Sequence, residues 1–212
     1  MSKGWAVIIN PQSKKGATKK KISIIKRLLD LEKINFSYYK TRRSGDEINI
    51  VERAVEEGFR KFLCVGGDGT IQKIIAGIQI QRVCDPKKII VGIIPSGTGN
   101  DWAKSIEVPL NIKRAIKKIK EGKTKKRDLG VVVIKGKREI KKRYFVSYSG
   151  VGFDAFMLSR LQTYKWLGKY AYLACSIANF WFYKNTRISI KGKKFSLSKS
   201  VFLCGVGVSK YT

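Results

Sequence analysis

Short apolar runs alternate with stretches of helical periodicity along the first 130 residues. WAVIIN (5–10) predicts a buried strand, closed by the turn PQSKKG. From about 18 to 32 the apolar positions Ile22, Ile25, Leu28 and Leu29 recur at helical spacing and share one face. NFSYYKT (35–41) predicts a second strand. Ser44 followed three residues later by Glu47 has the form of a capping box, and the helix it opens carries Ile48, Val51, Ala54 and Val55 before stopping near Gly58. KFLCV (61–65) is a third strand, broken by GGDGT and followed by a helix with Ile71, Ile74, Ile75 and Ile78. KIIVGII (88–94) is apolar almost throughout, as suits a parallel strand covered on both faces. After the polar turn PSGTGND comes a basic amphipathic helix, IKRAIKKIKEG (112–122).

This rhythm predicts an α/β class with an open, doubly wound sheet over residues 1–125. Right-handed crossovers then gather the strand-to-helix loops at one sheet edge. From 126 to 212 the pattern changes. DLGVVVI (128–134) and IKKRYFVSYSG (140–150) predict antiparallel strands around a Lys-Gly-Lys turn. Helical segments follow at about 154–161 and 166–182, then a hairpin with a Gly-Lys turn and a further strand over 187–208. This part reads as a second, β-rich domain that is thin for its strand count.

Composition narrows the chemistry. Lys and Arg total 45 against 15 Asp and Glu, a formal net charge of +30. Such a surface attracts phosphates, whether of a nucleotide, a nucleic acid or an anionic membrane. The chain has no histidine, which removes histidine bases and histidine-containing zinc sites. Cys64, Cys84, Cys175 and Cys204 form no C-x-x-C pair and fit a reducing cytoplasmic setting. MSKGWAVIINPQ does not read as a secretion signal. The most apolar stretch, 166–183, contains Lys169 and reads as a packed helix rather than a span. The lysine run KKIKEGKTKKR (117–127) lacks interleaved aromatics or a recognition-helix motif, so no specific nucleic-acid partner is expected.

Two loops carry the candidate chemistry. Gly66, Gly67, Asp68, Gly69 and Thr70 follow a buried strand and open a helix, where glycines admit a close ligand and free N–H groups attract phosphate. Asp68 would repel bare phosphate. It therefore suggests a bound Mg²⁺, a sugar hydroxyl or a role in loop geometry, and an ordinary Asx turn also accommodates it. Ser96, Gly97, Thr98, Gly99, Asn100 and Asp101 occupy the equivalent place after the next strand. Two such loops from adjacent strands make a cradle for an oligophosphate. Neither is a P-loop or a dinucleotide fingerprint.

CVGGDGTIQKIIAGI followed by GIIPSGTGNDWAKSI resembles the catalytic domain of diacylglycerol kinases and related bacterial lipid kinases. GGDGT alone also occurs in NAD kinases, but Pro95, Gly97, Thr98, Asn100, Asp101 and Ala103 follow the lipid-kinase pattern. Asn10, Pro11 and Gly16 match the family's opening turn, Asp128 its conserved aspartate, and Gly150, Gly152, Asp154 and Ala155 the start of its second domain. The resemblance implies a partial β-sandwich after the α/β domain, with lipid bound in the β-rich part. It implies ATP and Mg²⁺ as cofactors. Asn10, Thr41, Gly66, Gly67, Asp68, Gly69, Thr70, Ser96, Gly97 and Thr98 would hold ATP. Asp68 would position the metal, and Asp68 and Asp128 are the catalytic candidates. Asp101 and Asp128 would organise the loops or reach the metal through water, while a helix-dipole acid at 101 and a strand-start cap at 128 are the structural alternatives. Asp154 suits the start of its helix.

The implied reaction is transfer of a phosphoryl group from ATP to a lipid hydroxyl, with diacylglycerol going to phosphatidate. The implied setting is cytoplasmic, peripherally held at the inner face of an anionic membrane, and a homodimer is a further expectation. The family continues past VFLCGVGV with more strands and a late acidic general base, so this chain corresponds to the front two thirds of such an enzyme. A truncated, non-catalytic nucleotide- and membrane-binding remnant and an NAD kinase-like enzyme are the alternatives.

Overall fold

The computed structural model describes residues 3–11, 18–43, 45–136 and 139–208. The expectations at Gly16, Ser44, the Lys137 end of the first β-turn and the last four residues lie outside these. Four strands, β1 (Trp5–Ile9), β2 (Phe36–Lys40), β3 (Lys61–Gly66) and β4 (Ile90–Pro95), form a parallel sheet in the order β2-β1-β3-β4. Between them run α1 (Thr18–Leu31), α2 (Asp46–Glu56) and α3 (Asp68–Ile80), and after β4 come α4 (Asp101–Ser105) and α5 (Ile112–Lys120). The register pairs Ile9 with both Lys40 and Val65, and Gly66 with Pro95, so the carboxyl ends of the four strands finish level.

Alternation along each strand divides the core into two layers. Ala6, Ile8, Phe62, Cys64 and Ile93 pack with Val51, Ala54 and Val55 of α2 and Ile71, Ile74 and Ile78 of α3. Val7, Ile9, Leu63, Val65 and Ile94 pack with Ile25 and Leu29 of α1 and Ile116 of α5. The sheet is thus covered on both faces, which is why its central strands read as unbroken apolar runs. Strand order reverses direction between β1 and β3, and open sheets of this kind take ligands in the crevice outside such a switch point.

The later strands form three separate antiparallel ladders: β5 (Gly130–Lys135) with β6 (Ile140–Phe145), β7 (Tyr148–Gly152) with β10 (Leu203–Gly207), and β8 (Thr186–Lys191) with β9 (Ser196–Val201). The run 140–150, expected as one strand, divides at Val146 and Ser147, and its halves pair with different partners. Two compact units result, residues 1–147 with 208–212, and residues 148–207. The β5–β6 hairpin belongs to the first of them, although the change in pattern near 125 suggested an earlier boundary. Gln72 of α3 holds it there, donating to the Tyr144 carbonyl and accepting from Val146 N–H at 3.2 Å. The chain leaves this unit after Ser147 and returns at Val208, whose N–H donates to the Ser147 carbonyl at 2.8 Å.

The second unit carries α6 (Phe153–Arg160), a 3-10 stretch (Leu161–Tyr170) and α7 (Ala171–Phe180). Its core is small: Phe153, Met157 and Cys175, flanked by Phe156, Tyr183 and Phe202. Phe153 stacks on Phe202 with ring centroids 4.5 Å apart. Trp166 and Trp181, 81% and 85% exposed, stand outside that core.

Candidate functional site

The two glycine loops meet at the carboxyl edge of the sheet. Ser96 N–H donates to the Gly66 carbonyl at 2.8 Å, extending the β3–β4 ladder by one bond into the loops. Beyond it the two chains touch. A Cβ on Gly67 would lie 2.8 Å from the Gly97 Cα, and one on Gly97 would lie 2.6 Å from the Gly67 Cα. Only glycine permits this approach. The pairing expected from adjacent strand ends is therefore a direct backbone contact.

Each loop is held differently. In the second, Asn100 adopts a left-handed conformation (φ 54°), which asparagine tolerates better than most residues. Its buried side chain accepts from Gly97 N–H at 2.9 Å and donates to the Gly97 carbonyl at 3.0 Å, closing the turn on itself. The first loop runs straight into α3, where the Thr70 and Ile71 N–H groups donate to the Gly67 carbonyl at 3.0 and 3.1 Å and the N–H groups of Asp68 and Gly69 precede the first intrahelical acceptor. Gly69 is exposed there, and a Cβ on it would have no neighbour within 4 Å. Protein packing therefore does not account for a glycine at this position.

Asp68 joins the loops electrostatically. Its Oδ1 accepts from Trp102 N–H at 3.0 Å, so a side chain from the first loop caps the short helix α4 that follows the second. Of the three roles open to this residue, loop geometry is the one this bond fulfils. Its other oxygen remains turned toward Gly99. Asp68 Oδ2 and Asp101 Oδ2 both come within 3.2 Å of the point where a Gly99 Cβ would sit. Asp101 also pairs with Lys104 at 3.0 Å. Among the described residues no group of three or more His, Cys, Asp or Glu side chains is gathered for a metal. Mg²⁺ normally uses one or two carboxylates together with phosphate oxygens and water. The Asp68–Asp101 pair fits an ion brought in on phosphates rather than one caged by protein.

Asn10 and Thr41 stand at the ends of β1 and β2. Asn10 Nδ2 donates to Thr70 Oγ at 3.3 Å and to Glu47 Oε1 at 3.4 Å, crossing the switch point. Thr41 is buried, and both its N–H (3.0 Å) and its hydroxyl (3.4 Å) donate to the Ile9 carbonyl, so its hydroxyl ties β2 to β1. Thr70 and Ser96 are buried, while Thr98 is exposed. Asp128 is exposed, in the segment before β5, and lines a 170 Å³ recess with Trp102, Ser105 and Val146. Arg127 anchors that segment by donating to the Ser105 carbonyl at 3.0 Å. The ten nucleotide candidates, Asp68 among them, therefore lie at the strand ends, and Asp128 lies beside α4 rather than in the loops.

The site contains more than the motifs indicate. Glu47, read from the sequence as the partner of a Ser44 cap, is completely buried. Gly45, in a left-handed conformation (φ 99°), takes the cap position of α2, and its N–H donates to Glu47 Oε2 at 3.2 Å. Lys73 Nζ lies 3.9 Å from the same oxygen. Residues 50, 51 and 54 follow Glu47 on the core-facing stripe of α2, and that periodicity was the available signal. Beneath the site, burial pushes the Cys64 thiol well up, and the Glu47 and Asp68 carboxylates add to the shift. A thiol so placed stays protonated and inert. All four cysteines are free.

The model of the diacylglycerol kinase catalytic domain matches residues 4–132. A diacylglycerol kinase of Staphylococcus carnosus (strain TM300) is 32% identical over 154 residues, which are 72% of this chain and 46% of that protein. One from Staphylococcus epidermidis (strain ATCC 12228) is 33% identical over the same length, 44% of its own. The matched part is thus somewhat under half the length of these curated relatives. A crystal structure of a diacylglycerol kinase from Bacillus anthracis str. Sterne superposes with a TM-score of 0.70 at 22% identity, covering 99% of this chain and 65% of that one. A second structure from the same organism gives 0.74 at 21%. At these identities the superpositions speak for the fold: a parallel α/β sheet followed by further strands.

Proposed function

Because the chain belongs to the diacylglycerol kinase catalytic domain family, we propose that it serves as an ATP-dependent lipid kinase, moving the γ-phosphoryl group of ATP to a lipid hydroxyl, with diacylglycerol as the first substrate to test and phosphatidate as its product. The observation that carries the reading is the fusion of two glycine loops, Gly67 against Gly97, at the switch point of a doubly covered sheet.

In this reading the phosphates lie against the two loops and meet the N–H groups of Gly67, Gly69 and Thr98 and the hydroxyls of Thr70, Ser96 and Thr98, while Gly66 and Gly97, whose backbone groups are bonded to Ser96 and Asn100, admit the close approach. Asn10 and Thr41 border the nucleotide from the β1 and β2 ends. Mg²⁺ supplies neutralising charge on the phosphates when bound, and Asp68, helped by Asp101, is the side chain that would hold it. Asp68 thereby combines two duties, fixing α4 through Trp102 N–H and turning an oxygen to the metal side. Asp128 is the second catalytic candidate. Phosphoryl transfer depends mainly on positioning and on stabilising charge, and a preformed double loop suits both.

The lipid is assigned to the β-rich part of the chain. No helix among the described residues is long and apolar enough to cross a membrane. The net charge of +30 supports peripheral contact with an anionic inner-leaflet surface at about 1 kcal/mol per well-placed Lys or Arg. A homodimer is part of the same proposal, and sedimentation of the purified protein tests it.

The deciding experiment offers labelled ATP with Mg²⁺ to the product of the complete gene, together with a lipid panel and NAD. Transfer to diacylglycerol that disappears in Asp68→Ala supports the reading. Transfer to NAD redirects it to a nucleotide substrate. ATP binding without transfer to any acceptor overturns the kinase assignment and leaves a nucleotide-binding module.

A further inference from the structure

Glu47 is a buried carboxylate that the proposed reaction does not use. It occupies the first position of the stripe that α2 turns to the core, followed by Ile50, Val51 and Ala54, and its side chain has no exposure. Periodicity alone would place an apolar residue there. A carboxylate so buried costs several kcal/mol unless its oxygens are met by donors. Two hydrogen-bond donors and one cation converge on it: Gly45 N–H at 3.2 Å, Asn10 Nδ2 at 3.4 Å and the Lys73 ammonium, ion-paired at 3.9 Å. A helix cap accounts for the first. The other two come from the end of β1 and from α3, the helix that follows β3, and β1 and β3 are the strands that flank the switch point.

We propose that Glu47 is a positioning residue that sets the direction of the hydrogen bonds at the base of the first glycine loop, preparing it for the phosphates of a nucleotide. An ionised carboxylate only accepts. It therefore obliges the Asn10 amide to present its NH₂ end, and the same NH₂ also donates to Thr70 Oγ at 3.3 Å. Thr70 accepts in that contact, so its hydroxyl hydrogen stays directed elsewhere, as an anion requires. The sequence carboxylate, amide, hydroxyl has one polarity, and its donor end lies in the first turn of α3. Lys73 balances the charge of Glu47, so the carboxylate can serve as an acceptor without repelling a triphosphate nearby. The inference rests on the nucleotide-binding reading above and adds how its loop is oriented.

The test is equilibrium titration of the purified chain with ATP and, separately, with adenosine, in the parent, Glu47→Gln and Glu47→Met, each checked by thermal denaturation. Glutamine retains an acceptor oxygen for Asn10, whereas methionine fills the space without one. The proposal expects Glu47→Met to raise the Kd for ATP about five- to tenfold, the worth of one well-made hydrogen bond, and Glu47→Gln to stay within about twofold. Adenosine affinity should not move in either. If Glu47 acts as a bare charge, both variants bind ATP more tightly, and the proposal falls. It also falls if ATP and adenosine weaken together in Glu47→Met, which marks a merely structural residue. Should Glu47→Met not fold, Asn10→Asp keeps the shape and removes the NH₂ donor. Selective loss of ATP affinity is then expected, and unchanged ATP affinity overturns the proposal. A parent chain that binds no ATP overturns this inference and the nucleotide-binding reading together. A parent that binds ATP alongside an unaffected Glu47→Met overturns this inference alone.

Discussion

The two glycine loops look alike in sequence and differ in how they are held. The loop 96–101 is closed by its own side chain, since Asn100 bonds Gly97 on both sides and the turn would keep its shape without help. The loop 66–70 has no such side-chain clasp, its internal bond being the one from Thr70 N–H to the Gly67 carbonyl at 3.0 Å. It is fixed from outside, by Gly97 pressed against Gly67, by Asn10 at Thr70, and by the bond from Asp68 to Trp102 N–H. The self-contained loop thus serves as a template against which the open one is set. The open one keeps an unfilled face at Gly69, where a Cβ would meet no neighbour within 4 Å.

The largest effect should come from breaking the contact between them. In Gly97→Ala the new Cβ would stand 2.6 Å from the Gly67 Cα, backbone against backbone. A loss of about 1–3 kcal/mol in stability is expected together with loss of ATP binding, read by denaturant titration and by nucleotide titration. A variant as stable and as tight as the parent would show that the loops are independent.

Next comes the tether. Asp68→Ala removes the cap of α4 and should cost about 1 kcal/mol, while Asp68→Asn retains an acceptor for Trp102 N–H and should melt close to the parent. Phosphoryl transfer should fail in both, since neither keeps the carboxylate charge. Equal melting of all three proteins would remove the tether from the account.

Gly69→Ala probes the open face and should split stability from binding. With no neighbour around its Cβ, alanine should stabilise the start of α3 by up to about 0.5–1 kcal/mol while weakening ATP binding. A rise in both would mean that the face is not a ligand site. Thr98→Ala, at an exposed position on the template loop, should leave melting unchanged and cost at most about two- to threefold in ATP affinity.

Much of this arrangement was legible because it is local. The 3.6-residue spacing of Ile22, Ile25, Leu28 and Leu29 and the unbroken apolar runs of β3 and β4 mark their elements without reference to the rest of the chain. Both glycine loops announce themselves by following such runs. What stayed hidden depends on partners far away in sequence. Glu47 resembles a solvated cap until β1 and α3 close over it and bring Asn10 from 37 residues away. Gln72 resembles an ordinary polar helix position, yet it binds the backbone of the β5–β6 hairpin more than 70 residues on. The run 140–150 alternates like one strand, and only the separate pairing of its halves reveals the break. Local pattern reports propensity, and pairing is decided by the whole chain.

The hydrogen bond from Val208 to Ser147 makes residues 148–207 an excursion that begins and ends at one place in the first unit. Closing a longer or shorter excursion at that point changes the entropy slowly, by about 0.6 kcal/mol for each doubling of length. Such a splice point allows the excursion to be lengthened, trimmed or exchanged while the parallel sheet keeps its register. The part proposed to meet the acceptor can therefore diversify on a schedule of its own, with the phosphate-binding part inherited unchanged.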